Sequence, residues 1–325
     1  MADTVEESEK IFKAALATPS CENIFILYYP RIKRLSATHF ANLGHEIGHM
    51  VFIDWKRDHL VKFHADHNIK DRVEVSARHF VAKHGLSDEM IQYFSNEWTL
   101  SIVKCLKEIC CDIVGCITFG YSFLLSLFKF SSIYEYEGHI LDQGYFSWAY
   151  RIELCILTLK ELGSPYDGSF DEKIANWVAS IKTCNSGFES TKYILDDDSE
   201  YRYQGALTDA IRKGLPKLIK DLKSYLIKPS LTYEDDFNGE EIESVKASLE
   251  QGIIPCSTIE EKDNMILYSP LDLRNIISGT WKYIIVTNKF KLRDTENYYK
   301  YSGTANLLSL KGIEMAKILS DFGGD

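Results

Sequence analysis

Apolar residues recur along this chain mostly at the three- and four-residue intervals of amphipathic helices, and seldom in the alternation of strands. Thr4–Leu16 reads as one such helix. Asn23–Tyr29 (NIFILYY) is the exception: a short β-rich run closed by Pro30, expected to be a strand. Ser36 is the candidate N-cap of a helix over Ala37–Trp55, with Leu43, Ile47, Met50 and Val51 on its apolar side. Asp54–His84 is charged and helical in part, and Ser87 opens a long helix running through Glu97 and Glu108. The uncharged run Ile113–Phe128 is expected to continue that helix into the core, and Tyr145–Leu162 forms another helix that stops at Gly163. Gly163–Ser169, rich in turn formers, is the best candidate boundary. Beyond it, helical patterns occupy Phe170–Thr183, Tyr203–Leu226, Glu240–Gln251, Pro270–Ile285 and Leu307–Phe322. The expectation is a mainly α chain in two parts: residues 1–163 with a short strand or small sheet, and a helical domain over residues 164–325.

Chemistry concentrates on the third of these segments. His45-Glu46-Ile47-Gly48-His49 places two imidazoles four residues apart, hence on one side of a helix. Both can grip one metal ion from consecutive turns, while Glu46, about 100° round the helix, can reach a water on that ion. This is the H-E-x-x-H pattern, expected by chance in roughly 2% of chains of this composition. Gly44 and Gly48 each cost about 1 kcal/mol of helix propensity relative to alanine. Their presence signals the close approach of another element.

A catalytic zinc site takes three protein ligands and leaves a position for water. Glu108 and Asp112 are again four apart and share a helical face. Glu108 suits the third ligand, and Asp112 suits the acceptor of a ligand histidine's outer N–H, His45 by preference. Gly115 would let the two helices pack closely. Glu97 competes as a ligand, but Ser101 stands where a partner acid is wanted. His59, His64, His67, His79 and His84 lie among charged residues and are expected at the surface, and His39 is turned away from the ligand face.

H-E-x-x-H followed by E-x-x-x-D on a later helix resembles the gluzincin metallopeptidases. The 59-residue step from His49 to Glu108 is similar to the CAAX-prenyl-protease branch of membrane-associated zincins, and Gly144–Ile152 is loosely similar to that branch's arginine-bearing segment. The resemblance covers about residues 23–163 and implies a zincin-like catalytic domain. It further implies zinc held by His45, His49 and Glu108, and peptide-bond hydrolysis with Glu46 as general base. Arg151, His139, Tyr145 and Tyr150 become the candidates for stabilising the oxyanion. Asn23–Tyr29 becomes a candidate edge for pairing with substrate backbone. The alternative is a zincin-fold regulatory or protein-binding module without turnover.

Composition narrows the partners. A net charge of −10 over 325 residues argues against nucleic acid, whose phosphates need concentrated Lys and Arg. A protein or peptide substrate is expected, with a further protein partner assigned to residues 164–325 by position. Four of the eight cysteines, at 105, 110, 111 and 116, are spaced C-x4-C-C-x4-C, which is not a paired zinc knuckle. Met1–Lys13 is acidic and lacks the apolar core of a secretory signal. Both features fit a cytoplasmic protein. Ile113–Phe128 is shorter than the roughly twenty residues of a spanning helix, so no membrane span is expected. Glu234–Gly239 resembles the start of a calcium loop, but Val245 occupies the position of the closing glutamate.

Overall fold

The computed structural model describes residues 36–134, 146, 148–163, 202–226, 238–262, 265–287 and 295–322. The expected helices at Thr4–Leu16 and Phe170–Thr183, the strand at Asn23–Tyr29, and the candidates His139 and Tyr145 lie outside the described residues.

Mainly helical architecture follows from the three- and four-residue spacing. A 3-10 helix over Ala37–Asn42 leads directly into α1, Leu43–Asp66. Ser36 is extended, but its side chain caps no helical N–H. Its hydroxyl instead meets His39 Nδ1 at 2.7 Å and Asn306 at 3.1 Å, so the expected cap is a tether between remote segments. α1 continues eleven residues past the expected end at Trp55, because Trp55 and Phe63 are both buried on one face. Asn68, in the left-handed region at φ 50°, turns the chain into α2, Ile69–Lys83.

α3, Glu89–Phe119, is the axis of the molecule: 31 unbroken residues, about 46 Å long. Its C-terminal half, from Glu108 to Phe119, is buried without interruption. α1, α2, α4 (Tyr121–Tyr134), α5 (Trp148–Glu161) and α6 (Arg202–Ser224) pack around it. The run Ile113–Phe128 is not one helix, as expected, but two. Gly120 adopts φ 56°, where a side chain would be strained, and separates α3 from α4. Both sides of the break are buried. Among the described residues, no helix is long and apolar enough to cross a membrane.

The remaining elements are α7 (Gly239–Glu250), strands β1 (Ser257–Lys262) and β2 (Met265–Pro270), α8 (Leu273–Thr287) and α9 (Thr295–Phe322). The strands pair antiparallel, Ser257 opposite Pro270 and Lys262 opposite Met265. A mostly helical pattern is expected over this half. Pro270 closes β2 rather than opening a helix; α8 starts three residues later, where Asp272 accepts from the Arg274 backbone N–H at 2.7 Å. Asn238 caps α7, accepting from the N–H groups of Glu240 and Glu241.

Arg34–Asp325 forms one compact unit. One core joins Trp55, Phe63, Ile109 and Ile113 to Leu207, Ile211, Leu218 and Leu222 of α6. A second joins Phe119, Phe123 and Leu124 to Ile277 and Trp281 of α8. Helices from either side of residue 163 therefore share both cores.

The α1–α3 crossing positions the candidate chemistry. A Cβ on Gly44 would sit 2.8 Å from Gly115 Cα, and one on Gly48 would land on Cys111 Cα. Only hydrogens fit between the two backbones here. Replacing Gly48 by alanine is expected to destabilise the protein by about 1–3 kcal/mol in denaturant unfolding, because backbone cannot step aside as a side chain can. Gly303 is the matched control: nothing lies within 4 Å of its added Cβ, so Gly303→Ala is expected to stabilise by about 0.5–1 kcal/mol.

Candidate metal centre

Close backbone approach brings the side chains of α1 and α3 into one cluster. His45 Nδ1 lies 2.8 Å from Asp112 Oδ1, and its Nε2 lies 3.3 Å from Glu108 Oε2. Arg151, from α5, donates to the far side of Asp112: Nε to Oδ2 at 2.6 Å and Nη2 to Oδ1 at 2.8 Å. A chain of contacts thus runs Arg151–Asp112–His45–Glu108. The first two members are 6% and 0% exposed, so two opposite charges replace water for each other. His49 sits one turn after His45, with ring centroids 4.9 Å apart and planes nearly perpendicular. Its Nδ1 is 3.1 Å from Cys111 Sγ. Lys107 Nζ lies 3.4 Å from the other carboxyl oxygen of Glu108, on the more exposed side.

The electrostatics follow from burial and these contacts. Burial alone would push His45 down, but the hydrogen bonds to Asp112 and Glu108 outweigh it and lift its pKa to about 9. Burial, assisted by the nearby His45, lowers His49 to about 4. Glu108 and Asp112 are buried yet held below the usual carboxylate range: Glu108 by hydrogen bonding to His45, Asp112 by the charge and hydrogen bonds of Arg151. Burial keeps the Cys111 thiol protonated.

These two imidazoles give the metal-free protein opposed pH limbs. His45 binds its proton more tightly folded than unfolded, so its contribution is complete below pH 6.5 and lost as pH rises through about 9. His49 is the reverse: stability falls as pH drops from 6.5 toward 4. Thermal unfolding in chelator is expected to peak near pH 6.5, and His49→Asn to flatten the acid limb while leaving the alkaline one. An unchanged acid limb in that variant would count against the assignment.

One donor pair has the spacing of zinc ligands. Ligand atoms about 2.0–2.1 Å from a tetrahedral zinc lie about 3.4 Å apart, close to the 3.3 Å between His45 Nε2 and Glu108 Oε2. A divalent cation held between those atoms would displace any proton they share. His45 Nδ1 is committed to Asp112, which leaves Nε2 as the ligand atom. Among the described residues, the group of three candidate ligands whose donor atoms all lie within 4.8 Å of one another is His45, His49 and Cys111; Glu108 is not in it. Glu97 is exposed on α3, away from the buried half that carries Glu108.

Several sequence expectations land differently. Arg151, a candidate oxyanion donor, is instead bound through Nε and Nη2 to Asp112. Tyr150 is buried against Phe146 at a centroid distance of 4.5 Å. His59, His64 and His67 are half-buried rather than solvated; His59 stacks on Trp55, and burial lowers His64 and His67. His39 is buried and bound to Ser36, while His79 and His84 are exposed. The sequence does not mark Cys111 and Lys107 as neighbours of the site. Their adjacency to Glu108 and Asp112 was the available signal, but helical angle alone does not separate a neighbour at the site from one in the core. Comparison with protein-family models, curated proteins and solved structures finds no match for this chain.

Proposed function

We propose that this chain is a zinc-dependent metallopeptidase that hydrolyses peptide bonds, with His45, His49 and Glu108 as the metal ligands and Glu46 as general base. The observation that carries the reading is the two-sided engagement of His45: Asp112 on Nδ1 at 2.8 Å and Glu108 opposite Nε2 at 3.3 Å. A half-buried histidine held this way has its ring orientation set, with Nδ1 on Asp112 and Nε2 facing Glu108.

Zinc in such a site supplies Lewis acidity, polarising a carbonyl and making water acidic near neutral pH. The protein's own groups do the rest. Glu46 is half-buried and makes no side-chain hydrogen bond or ion pair among the described residues, so its carboxylate is available to take a proton from the attacking water. The same group then delivers that proton to the leaving amine. Glu108 and the two imidazoles hold their positions because the α1–α3 crossing is glycine-tight. Arg151 acts as a positioning residue, fixing Asp112, which fixes His45.

Elemental analysis and cleavage of a peptide mixture test this together. About one zinc per chain is expected. Peptide cleavage is expected to disappear in 1,10-phenanthroline and return with added zinc. Zinc-loaded protein that leaves every peptide intact, or zinc-free protein that cleaves equally well, would overturn the reading.

A further inference from the structure

The two ligand histidines are served by consecutive residues of one helix. Asp112 meets His45 Nδ1 at 2.8 Å, and Cys111 Sγ meets His49 Nδ1 at 3.1 Å. We propose that Cys111 is the positioning residue of His49: the His49 Nδ1–H donates to the Cys111 sulfur, turning Nε2 toward the metal. This rests on the zinc reading above and extends it to a residue outside the ligand set.

Three observations favour positioning over direct ligation. First, imidazole and thiolate ligands of one tetrahedral zinc would hold their donor atoms about 3.5 Å apart. The observed 3.1 Å is shorter than that and lies within hydrogen-bonding distance for sulfur. Second, the contact uses Nδ1 of His49, the same ring position that Asp112 occupies on His45. Both rings are thereby left to bind through Nε2, the arrangement that two histidines on consecutive turns need to converge on one ion. Third, the backbone leaves Cys111 little freedom. Its Cα lies where a Cβ on Gly48 would have to be, so the side chain is pinned beside α1 at the level of His49. A small side chain with an acceptor atom is what this crossing admits, and cysteine meets both conditions.

The arrangement makes the two imidazoles unequal. Asp112 is a charged acceptor backed by Arg151, whereas the Cys111 sulfur is a weak, neutral one. His49 is therefore the more loosely held ligand, and its orientation depends on packing at residue 111.

The test uses the full-length chain, zinc competition titration and cobalt(II) substitution. Cys111→Ala is expected to weaken zinc binding about 10–100-fold, and Cys111→Ser, which restores an acceptor of similar size, to recover most of that loss. Cobalt(II) bound to the unsubstituted protein is expected to lack the near-ultraviolet thiolate charge-transfer band. Such a band, removed by Cys111→Ser, would make Cys111 a ligand and overturn the proposal. So would a Cys111→Ala protein that binds zinc as tightly as the unsubstituted chain, or a Cys111→Ser protein no better than Cys111→Ala. Far-ultraviolet circular dichroism of both variants identifies misfolding; if Cys111→Ala misfolds, Cys111→Ser and the cobalt spectrum decide alone. Failure of the unsubstituted protein to bind zinc at all would instead sink the metallopeptidase reading, and this inference with it.

Discussion

Glu46→Gln is expected to lower peptide hydrolysis about 10²–10⁴-fold while leaving zinc content unchanged. Glutamine keeps the shape and hydrogen-bonding reach of glutamate but cannot take up a proton near neutral pH. The Glu46 carboxylate has no hydrogen bond or ion pair among the described residues. Removing its charge therefore leaves the cluster of His45, Glu108, Asp112 and Arg151 as it is, and thermal stability should change by less than about 0.5 kcal/mol. The measurement is the rate of cleavage of one identified peptide at matched zinc occupancy. A variant that keeps full zinc-dependent activity removes Glu46 from the mechanism. A variant that loses its zinc makes Glu46 a ligand instead of a base.

The second large effect concerns stability. Asp112→Ala is expected to destabilise the fold by about 3–5 kcal/mol, because the buried Arg151 guanidinium would lose its carboxylate partner. The same change removes the acceptor on His45 Nδ1 and should weaken zinc binding about 10–100-fold. These two losses have different origins and separate cleanly. Adding Arg151→Met to Asp112→Ala removes the buried guanidinium that lost its Asp112 contacts and should recover most of the stability, but none of the zinc affinity. Asp112→Asn keeps an oxygen for His45 while losing the ion pair, so its affinity should lie above that of Asp112→Ala. Denaturant unfolding and zinc competition, run on all three variants, report the two quantities independently. If Asp112→Ala binds zinc as tightly as the unsubstituted chain, Asp112 does not orient His45.

Both effects stem from one helix crossing, and Gly44, Gly48 and Gly115 announce it before any coordinates exist. Three glycines that weaken two helices make sense only where backbones must nearly touch. In contrast, Arg151 illustrates what a linear reading misjudges. An arginine placed after the ligand helix looks like a substrate-facing donor. Its position in sequence says nothing of which group the guanidinium meets, and here it meets Asp112. The break at Gly120 was equally hidden. Uninterrupted apolar residues are compatible with one buried helix or two, and only the positive φ of one glycine distinguishes them.

What the chain determines locally is helix and face. The 3.6-residue repeat is a property of the backbone, so spacing alone places His45 with His49, and Glu108 with Asp112, and makes the chain mainly helical. Tertiary structure decides everything that depends on how remote surfaces meet: that α3 runs through the centre, that α6 and α8 join the cores of the first half, and that His45 reaches both Asp112 and Glu108. It also decides that Cys111 meets His49. The register between α1 and α3 is set by steric fit across a 59-residue interval whose own sequence carries no record of that angle. Periodicity repeats along one helix, whereas packing is a relation between two.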